Sequence, residues 1–408
     1  MEKFFYKAKN DKNEIVTGEI ETVNPSSAAK ILTSKKLFPI EIRKTQETAA
    51  FLESLPFLSF LKSVSRKKKA LAVGQLASLV GAGLPVAQAL GIMEQESSNK
   101  ILKSTFGDIL TRVEGGSSLA DAFSRHPNVF SELDTSIIAS GEKSGNLEKV
   151  LKRMANQLEQ EAKFISRIRG AMIYPAVILT VAAGVVILML VYVLPKLKNL
   201  YDEFKGELPL ITRIMMGVSD FLKHFWWLFL LFLAASFVAF RYFIRTPSGR
   251  KSWDSFKLKI PLFKNLITKI YLARFTRTLG TLVGSGVSIL DSLKITSKSM
   301  GNVSYEEEVL KMADEVRAGS SLSSSLSDSV LFPPIVSQMM KIGEQTGEMD
   351  SMLDSMANYY EDEVDNIVKA LATLMEPVII VFMGIIVAAI MLAIMMPIYT
   401  ISQVIFKR

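Results

Sequence analysis

The stretch Leu76-Ala-Ser-Leu-Val-Gly-Ala-Gly83 occurs again later in the chain as Leu279-Gly-Thr-Leu-Val-Gly-Ser-Gly286. The offset between the two stretches is 203 residues (284 − 81 = 203). Solenoid repeats have shorter periods, of roughly 20 to 50 residues. A repeat this long therefore indicates one structural unit that the chain uses twice. Fused duplicates of this kind favour packing about a pseudo-twofold axis.

Two further motifs extend the repeat toward the C-terminus. Gly116-Ser-Ser-Leu119 returns as Gly319-Ser-Ser-Leu322, and Gly141-Glu142-Lys-Ser-Gly145 returns as Gly343-Glu344-Gln-Thr-Gly347. The offset of the second pair is 202 residues (343 − 141 = 202). The second copy therefore lacks one residue between Leu322 and Phe332, which predicts a loop at that point.

Apolar residues make up 49% of the 408 residues, and the mean hydropathy is positive. Such a composition indicates membrane spans rather than an ordinary soluble protein. Residues 171–194 and 377–406 contain no acidic or basic side chain, and both exceed the ~20 residues that cross a bilayer core. Residues 225–240 form a shorter third candidate, whose flanking Lys223 and Arg241 can extend to the lipid headgroups.

Charged residues beside the spans predict the orientation. Residues 1–47 are polar and charged with no cleavable signal peptide, so the N-terminus is expected in the cytosol. The connection at 195–223 carries five Lys/Arg and four acids, whereas residues 241–277 carry ten Lys/Arg and one acid. This asymmetry places the first connection outside and the second inside. Anionic lipid explains the net charge of +8 better than nucleic acid does, and no nucleic-acid partner is predicted.

The predicted fold class is an all-α membrane protein with two homologous cytosolic six-helix bundles, three transmembrane helices and a small N-terminal α+β (ββαβ) module. The module follows from short β-branched stretches on both sides of a helix that opens at Asn24-Pro25, with Asn24 as its N-cap. The predicted boundaries are 1–45 for the N-terminal module, 46–66 for an apolar linker, 67–170 for the first bundle, 171–194 for span one, 195–223 for an extracytoplasmic connection, 224–244 for span two, 245–370 for the second bundle, 371–401 for span three and 402–408 for an extracytoplasmic tail.

Several local signals have more than one interpretation. The linker at 46–66 could lie on the membrane surface or pack against a partner. Arg66-Lys-Lys-Lys69 marks either the level of the lipid headgroups or a contact with an acidic partner. Ser118 with Asp121 resembles a capping box, and Ser304-Tyr-Glu-Glu307 matches that pattern more closely.

The composition excludes several kinds of chemistry. The chain has no cysteine and only two histidines, which leaves no disulfide framework, zinc cluster or Cys/His nucleophile pair. Gly141-Glu-Lys-Ser-Gly145 does not have the spacing of a phosphate-binding loop, and its second copy lacks the lysine. Its glycines instead favour a left-handed turn at a helix end, with the glutamate capping the next helix or pairing with a basic neighbour. Contact with a partner is the alternative, and no catalytic residue, cofactor or metal is predicted.

Acidic residues recur at matching positions of the repeat. Glu159 and Glu161 correspond to Glu361 and Glu363, and we expect solvated faces or ion pairs rather than catalysis. Glu376 is more suggestive because a carboxylate at the mouth of a span is costly unless it is paired or lies at the water boundary. The spans themselves carry almost no polar group, which favours anchoring over the alternative function of a membrane transporter or permease subunit.

The doubled motifs, each followed by a helix that runs into Tyr-Pro in copy one and Glu-Pro in copy two, resemble the inner-membrane platform proteins of type IV pilus assembly and type II secretion, the secretion F family. The resemblance covers nearly the whole chain. By position it implies these signature residues for partner contact or structure: Gly81, Gly83, Gly141, Glu142, Gly145, Pro175, Gly284, Gly286, Gly343, Glu344, Gly347, Glu376 and Pro377.

The resemblance also implies a function and partners. The expected protein is a non-enzymatic platform in the cytoplasmic membrane that couples a hexameric assembly ATPase to insertion of pilin subunits. The implied partners are that ATPase, major and minor pilins or pseudopilins, other inner-membrane assembly proteins, anionic lipid and a second copy in a dimer. Whether the machine is a pilus, a secretion system or a DNA-uptake apparatus stays open at this point.

Two departures from the family pattern stand out. The second copy keeps the basic Arg274-Phe-Thr-Arg277, whereas the first copy has Leu71-Ala-Val-Gly74. Some family members bind calcium between acidic side chains of the first bundle. Here Glu148 is followed by Lys152 and Asn156, and that site is not predicted.

Overall fold

The computed structural model describes residues 2–9, 15–22, 25–34, 37–44, 64–196 and 210–406. Within it the chain divides into two compact units, Met1–Val64 and Ser65–Arg408. Most of the predicted linker at 46–66, part of the predicted connection at 195–223 and the expected N-cap Asn24 lie outside the described residues.

The first unit contains an antiparallel sheet and one helix. The sheet has the strand order β2-β1-β3, with β1 at Glu2–Lys9, β2 at Ile15–Thr22 and β3 at Phe38–Lys44. Helix α1, Pro25–Ser34, begins at the expected proline and connects β2 to β3. Pro39 lies on the edge strand β3, where a missing N–H is tolerated, opposite an irregularity in β1.

The second unit is helical throughout its described residues. Its first part contains six helices that follow the punctuation of the sequence: α2 (Arg66–Gly81), α3 (Val86–Glu96), α4 (Lys100–Glu114), α5 (Leu119–Ser124), α6 (Glu132–Ser144) and α7 (Leu147–Leu188). Helix α7 has 42 residues with Pro175 inside it, and ends in a π-helical turn at Met189–Val193. At ~1.5 Å per residue, α7 is roughly 63 Å long.

The remaining helices follow residue 209. They are α8 (Leu210–Arg245), α9 (Pro247–Lys259), α10 (Pro261–Gly284), α11 (Ile289–Ser299), α12 (Val303–Arg317), α13 (Leu322–Ser327), α14 (Pro334–Thr346) and α15 (Met349–Phe406). The missing residue of the second copy falls between α13 and α14, as predicted for a loop. Helix α15 has 58 residues and continues through residues 402–406 of the predicted tail.

Three helices are long and apolar enough to cross a membrane. The candidate spans lie within Leu147–Lys196, Lys223–Arg245 and Met349–Ala393, and at most 17% of the apolar window of each is buried. Apolar surface that the protein leaves uncovered over this length fits hydrocarbon rather than water. The prediction of an all-α membrane protein with three spans is confirmed at this level.

Aromatic side chains fill the core of the second helical part. Phe275 packs against Phe332 with a centroid separation of 4.7 Å, and Tyr305 lies 5.7 Å from the same ring. The Tyr305 hydroxyl donates a hydrogen bond to the Leu331 carbonyl at 3.2 Å. Burial raises the pKa of Tyr305 to about 12, so the phenol stays neutral at physiological pH.

One local prediction was wrong, and one basic residue has a partner that the sequence did not indicate. Helix α12 is capped by Asn302, whose side chain accepts hydrogen bonds from the Ser304 and Tyr305 amides, so Ser304 lies inside the helix rather than at its cap. Within the basic run Arg66-Lys-Lys-Lys69, Lys69 is paired inside the chain, because its ammonium lies 2.5 Å from the carboxylate of Asp134, which is 1% exposed. That carboxylate also accepts from the Ser131 amide and closes a capping box at the start of α6.

Candidate functional site

The two glutamates of the repeated motif cap short helices. Glu142 accepts hydrogen bonds from the Leu119 amide at 2.5 Å and the Ala120 amide at 2.9 Å, at the start of α5. Glu344 does the same for α13, where it accepts from the Leu322 amide at 2.7 Å. The first amides of a helix have no partner within the helix, and a carboxylate beside them is stabilising. The glutamate therefore caps the preceding helix, not the next one as expected.

The two glycines of each motif have different roles. Gly145 and Gly347 adopt φ of 68° and 75° at the ends of α6 and α14, the left-handed turn that was predicted. Gly141 and Gly343 lie within those helices and permit close packing. A Cβ at Gly141 would lie 2.1 Å from Val150 Cγ2. The motif thus folds α6 tightly onto α7, and α14 onto α15.

The glycines at the ends of α2 and α10 differ between the copies. Gly83 and Gly286 both have positive φ just beyond the helix end. A Cβ at Gly81 would touch Glu148 at 3.2 Å, whereas a Cβ at Gly284 would lie 2.0 Å from the Arg153 guanidinium. The missing side chain of Gly284 therefore provides space for an arginine of the other copy.

Arg153 joins the first helical part to the second. Its Nη2 donates to the Gly280 carbonyl at 2.9 Å, and its guanidinium lies 3.4 Å from the carboxylates of both Asp350 and Asp354. The side chain is 23% exposed. A guanidinium with a fixed planar array of donors suits this combination of a carbonyl and two carboxylates.

Further polar contacts surround Arg153. Thr281 Oγ1 donates to Gln157 Oε1 at 2.8 Å, and Ser140 Oγ donates to the Ser285 carbonyl at 2.7 Å. Lys298 pairs with Glu132 at 2.8 Å. These contacts attach α6 and α7 to α10 and α11.

The long helices α7 and α15 run parallel along this contact. Arg153 lies beside Asp350 and Asp354, and further along Arg167 pairs with Asp362 at 3.9 Å. The residue numbers of the paired side chains increase in the same direction along α7 and α15. Both helices therefore point the same way toward their apolar segments.

The contact between the copies is one-sided. The polar contacts lead from α6 and α7 of the first copy to α10, α11 and α15 of the second. In the described part of the chain, no hydrogen bond or ion pair joins α2 or α3 to α14 or to residues 349–370 of α15. A strict pseudo-twofold axis would require both sets, so these polar contacts do not follow such an axis.

The arginines at the start of the second copy stabilise that copy. Arg277 Nε lies 2.9 Å from Glu361 Oε1, and Arg274 donates to the Met300 carbonyl at 2.8 Å. The other matched acids are also paired: Glu363 with Lys269, Glu159 with Lys163 and Glu161 with Arg66. The expectation of ion pairs for these acids is confirmed.

The remaining signature residues lie on the long helices. Pro175 is buried in α7, whereas Glu376 and Pro377 are exposed in α15. Among the described residues Glu376 has no hydrogen-bonding or ionic partner. No group of three or more His, Cys, Asp or Glu that could hold a metal ion occurs in the part of the chain searched, which comprises the described residues.

Comparison with known families assigns the repeated segments. Residues 72–195 and again 275–397 match the family model described as type II secretion system (T2SS), protein F, and residues 1–43 match the N-terminal domain of type II secretion system protein F. The chain belongs to the type II secretion system protein F family. The resemblance drawn from the doubled motifs is thereby confirmed.

Relatives of this secretion F chain span both machines. It is 36% identical over 397 residues to the type IV pilus assembly protein PilC of Thermus thermophilus, with 97% of each chain covered. It is 34% identical over 399 residues to PilC of Myxococcus xanthus, covering 98% of this chain and 95% of the relative. The type II secretion system protein F of Aeromonas hydrophila is 34% identical over 376 residues, covering 92% and 96%. The chain is thus a component of pilus or secretion machinery.

Sequence reasoning missed Arg153, Gln157 and Thr281. Arg153 and Gln157 lie outside the doubled motifs, and their equivalents are Ser355 and Tyr359. Thr281 lies within a doubled motif, but its equivalent in the first copy is Ser78. A signal was present in this difference. Positions at which the two copies diverge mark surfaces that the two copies use differently.

Removing the Glu142 carboxylate should weaken the start of α5. We expect Glu142→Ala to lower the free energy of unfolding by about 1.5–3 kcal/mol, the range for hydrogen bonds to a charged group. Thermal unfolding in detergent and amide hydrogen exchange over residues 118–123 measure the effect. The adjacent Lys143→Ala is the control, and unchanged exchange in Glu142→Ala would contradict the capping role.

Filling the space at Gly284 should expel Arg153. We expect Gly284→Ala to lower the free energy of unfolding by about 1–3 kcal/mol, because the guanidinium loses a charged hydrogen bond and must move. Gly81→Ala, the matched change in the other copy, meets only the flexible Glu148 side chain and should be close to neutral. In Arg153→Ala the Gly284→Ala cost should vanish, and equal costs with and without Arg153 would contradict this contact.

Proposed function

We propose that the chain is the non-enzymatic platform of a type IV pilus or type II secretion machine in the cytoplasmic membrane. In this function it couples a hexameric cytosolic ATPase to the insertion of pilin or pseudopilin subunits into a fibre. The observation that carries the proposal is the continuity of α7 and α15, each of which extends without interruption from a packed helical part into an apolar segment.

Such continuity suits the transmission of force. Helix α15 is roughly 87 Å long at ~1.5 Å per residue, and helix α7 runs beside it. Arg153 and Arg167 tie the two helices together before they reach their apolar segments. A displacement applied to one helical part must then move both long helices, because neither can slide along the other without breaking these ion pairs.

The domain assignment is part of the same proposal. Helices α2–α7 and α10–α15 form two homologous six-helix bundles in the cytosol, preceded by a ββαβ module that docks a partner. The ATPase binds the bundles, while pilins or pseudopilins contact the apolar helices. Other inner-membrane assembly proteins and anionic lipid are the further partners. Support comes from the doubled family match and from the names of the relatives.

The absence of cysteine permits a direct test of orientation. We expect Ser104→Cys and Ser351→Cys to resist a membrane-impermeant maleimide in intact cells, and to react once the membrane is opened. Lys196→Cys, beyond the π-helical turn that follows α7, should react in intact cells. All three side chains are exposed in the structure, so burial does not explain protection. Labelling of Ser104→Cys in intact cells would contradict the orientation.

Interrupting α7 between the first bundle and its span should abolish fibre assembly or secretion without abolishing partner binding. We expect insertion of three glycines after Gly170 to abolish fibre assembly or secretion, while ATPase and prepilin still co-purify from native membranes. Gly170 is exposed and has no neighbour where a side chain would lie, so Gly170→Ala is the control and should retain activity. Unaffected assembly in the insertion variant would contradict force transmission, and recovery of neither partner with the unaltered chain would contradict the platform itself.

A further inference from the structure

One face of the first copy is exposed although its counterpart in the second copy is buried. In α10 the side chains of Thr278, Thr281 and Ser285 are 4%, 3% and 7% exposed. The equivalent stripe in α2 is Gln75, Ser78 and Ala82, and all three are exposed. The difference arises because α6 and α7 of the first copy cover α10, while α2 has no such cover.

The complementary face shows the opposite pattern. Ser140, Arg153 and Gln157 of the first copy make the contact with α10. Their equivalents in the second copy are Ile342, Ser355 and Tyr359, by the offset of 202 residues (343 − 141 = 202). Ile342 is 46% exposed and Tyr359 is 52% exposed. Within the chain, the face of α6 and α7 therefore packs on α10. The equivalent faces, on α14 and α15 and on α2, are exposed.

The membrane limits how such a one-sided contact can continue. Helices α7 and α15 run parallel, so the rotation that relates the two copies lies along their common direction. Head-to-tail contacts form rings when the rotation closes and filaments when it does not. Two bundles anchored in the same bilayer can rotate only about the membrane normal, which excludes a rise from one bundle to the next. A continued contact therefore stays in the plane of the membrane, and it closes into a ring where the rotation divides a full turn.

We propose that a second copy of the chain packs α14 and α15 of its second bundle against the exposed α2 stripe of the first bundle. The contact would repeat head-to-tail the arrangement already present within each chain. This inference rests on the bundle arrangement in the proposed function, and it adds the surface and the symmetry of self-association.

The chemistry of the two open faces fits this occupant. Leu71 continues the α2 stripe toward its start and is 64% exposed, while Ser78, Gly81 and Ala82 present small side chains. Ile342 and Tyr359 offer the larger apolar groups that such a stripe can accommodate. Ser355 replaces Arg153, so no guanidinium has to be desolvated. Apolar groups against small residues need no charge partner, and the charged side chain beside the stripe is Glu148, next to Gly81.

Cross-linking between two differently tagged chains tests the proposal. One chain carries Ser78→Cys and the other Ser355→Cys, both conservative changes in a chain without native cysteine. We expect a short bismaleimide to join the two tags in native membranes, and neither variant to cross-link to itself. Adding Tyr359→Glu should strongly reduce the product, because it buries a charge, whereas Tyr359→Phe should retain it.

Matched controls separate the possible outcomes. Glu132→Cys with Lys298→Cys in one chain copies an exposed internal contact between the two helical parts and should give an intramolecular product. Ser104→Cys with Lys311→Cys, on exposed faces of α4 and α12, should give none. Product at monomer mass alone, symmetric Ser78-to-Ser78 product, or no product while the internal control reacts would overturn the proposal. Partner co-purification does not enter this readout, so failure of the proposed function is scored separately.

Discussion

The structure depends on one arginine that occupies the space left by a glycine. Arg153 must leave water to reach the Gly280 carbonyl, and two carboxylates offset that cost. The space exists only because Gly284 has no side chain. Together with the Arg167–Asp362 pair, the resulting contact holds the first half of α7 beside α15. The apolar segments of the two helices consequently point in the same direction.

A second constraint acts within each bundle. Helices of six residues such as α5 and α13 are too short to be stable alone, since helix nucleation is costly and few hydrogen bonds follow. Glu142 in α6 and Glu344 in α14 supply the missing acceptors, each from the helix that follows the short one. Lys143 is replaced by Gln345 in the second copy, so the motif is retained for capping and packing, not for phosphate. The signature residues thus explain the packing within each helical part, whereas divergent residues explain how the two helical parts meet.

The parts of this fold that follow from sequence are those set by local pattern or by duplication. Apolar length predicts the spans, and the doubled motifs predict the equivalent helices, because each signal lies within one segment. Predictions were wrong where two residues compete for the same structural role. Asn302 and Ser304 are both favourable N-cap residues for α12. Asn302 caps the helix, because its buried side chain accepts hydrogen bonds from two backbone N–H groups through its amide oxygen. The partner of Lys69 lies 65 positions away, so no local pattern could identify it.

The one-sided contact has a consequence for how duplicated bundles diverge. If both copies had met about a twofold axis, the same residues would serve both and selection would keep them alike. Here Arg153 and Ser355 face different surroundings, as do Ser78 and Thr281, so each pair is free to differ. Divergence at the contact and retention at the caps are then two results of one arrangement. The residues that cap and pack each copy are the same in both, whereas the residues on the outer faces differ with the surface that packs against them.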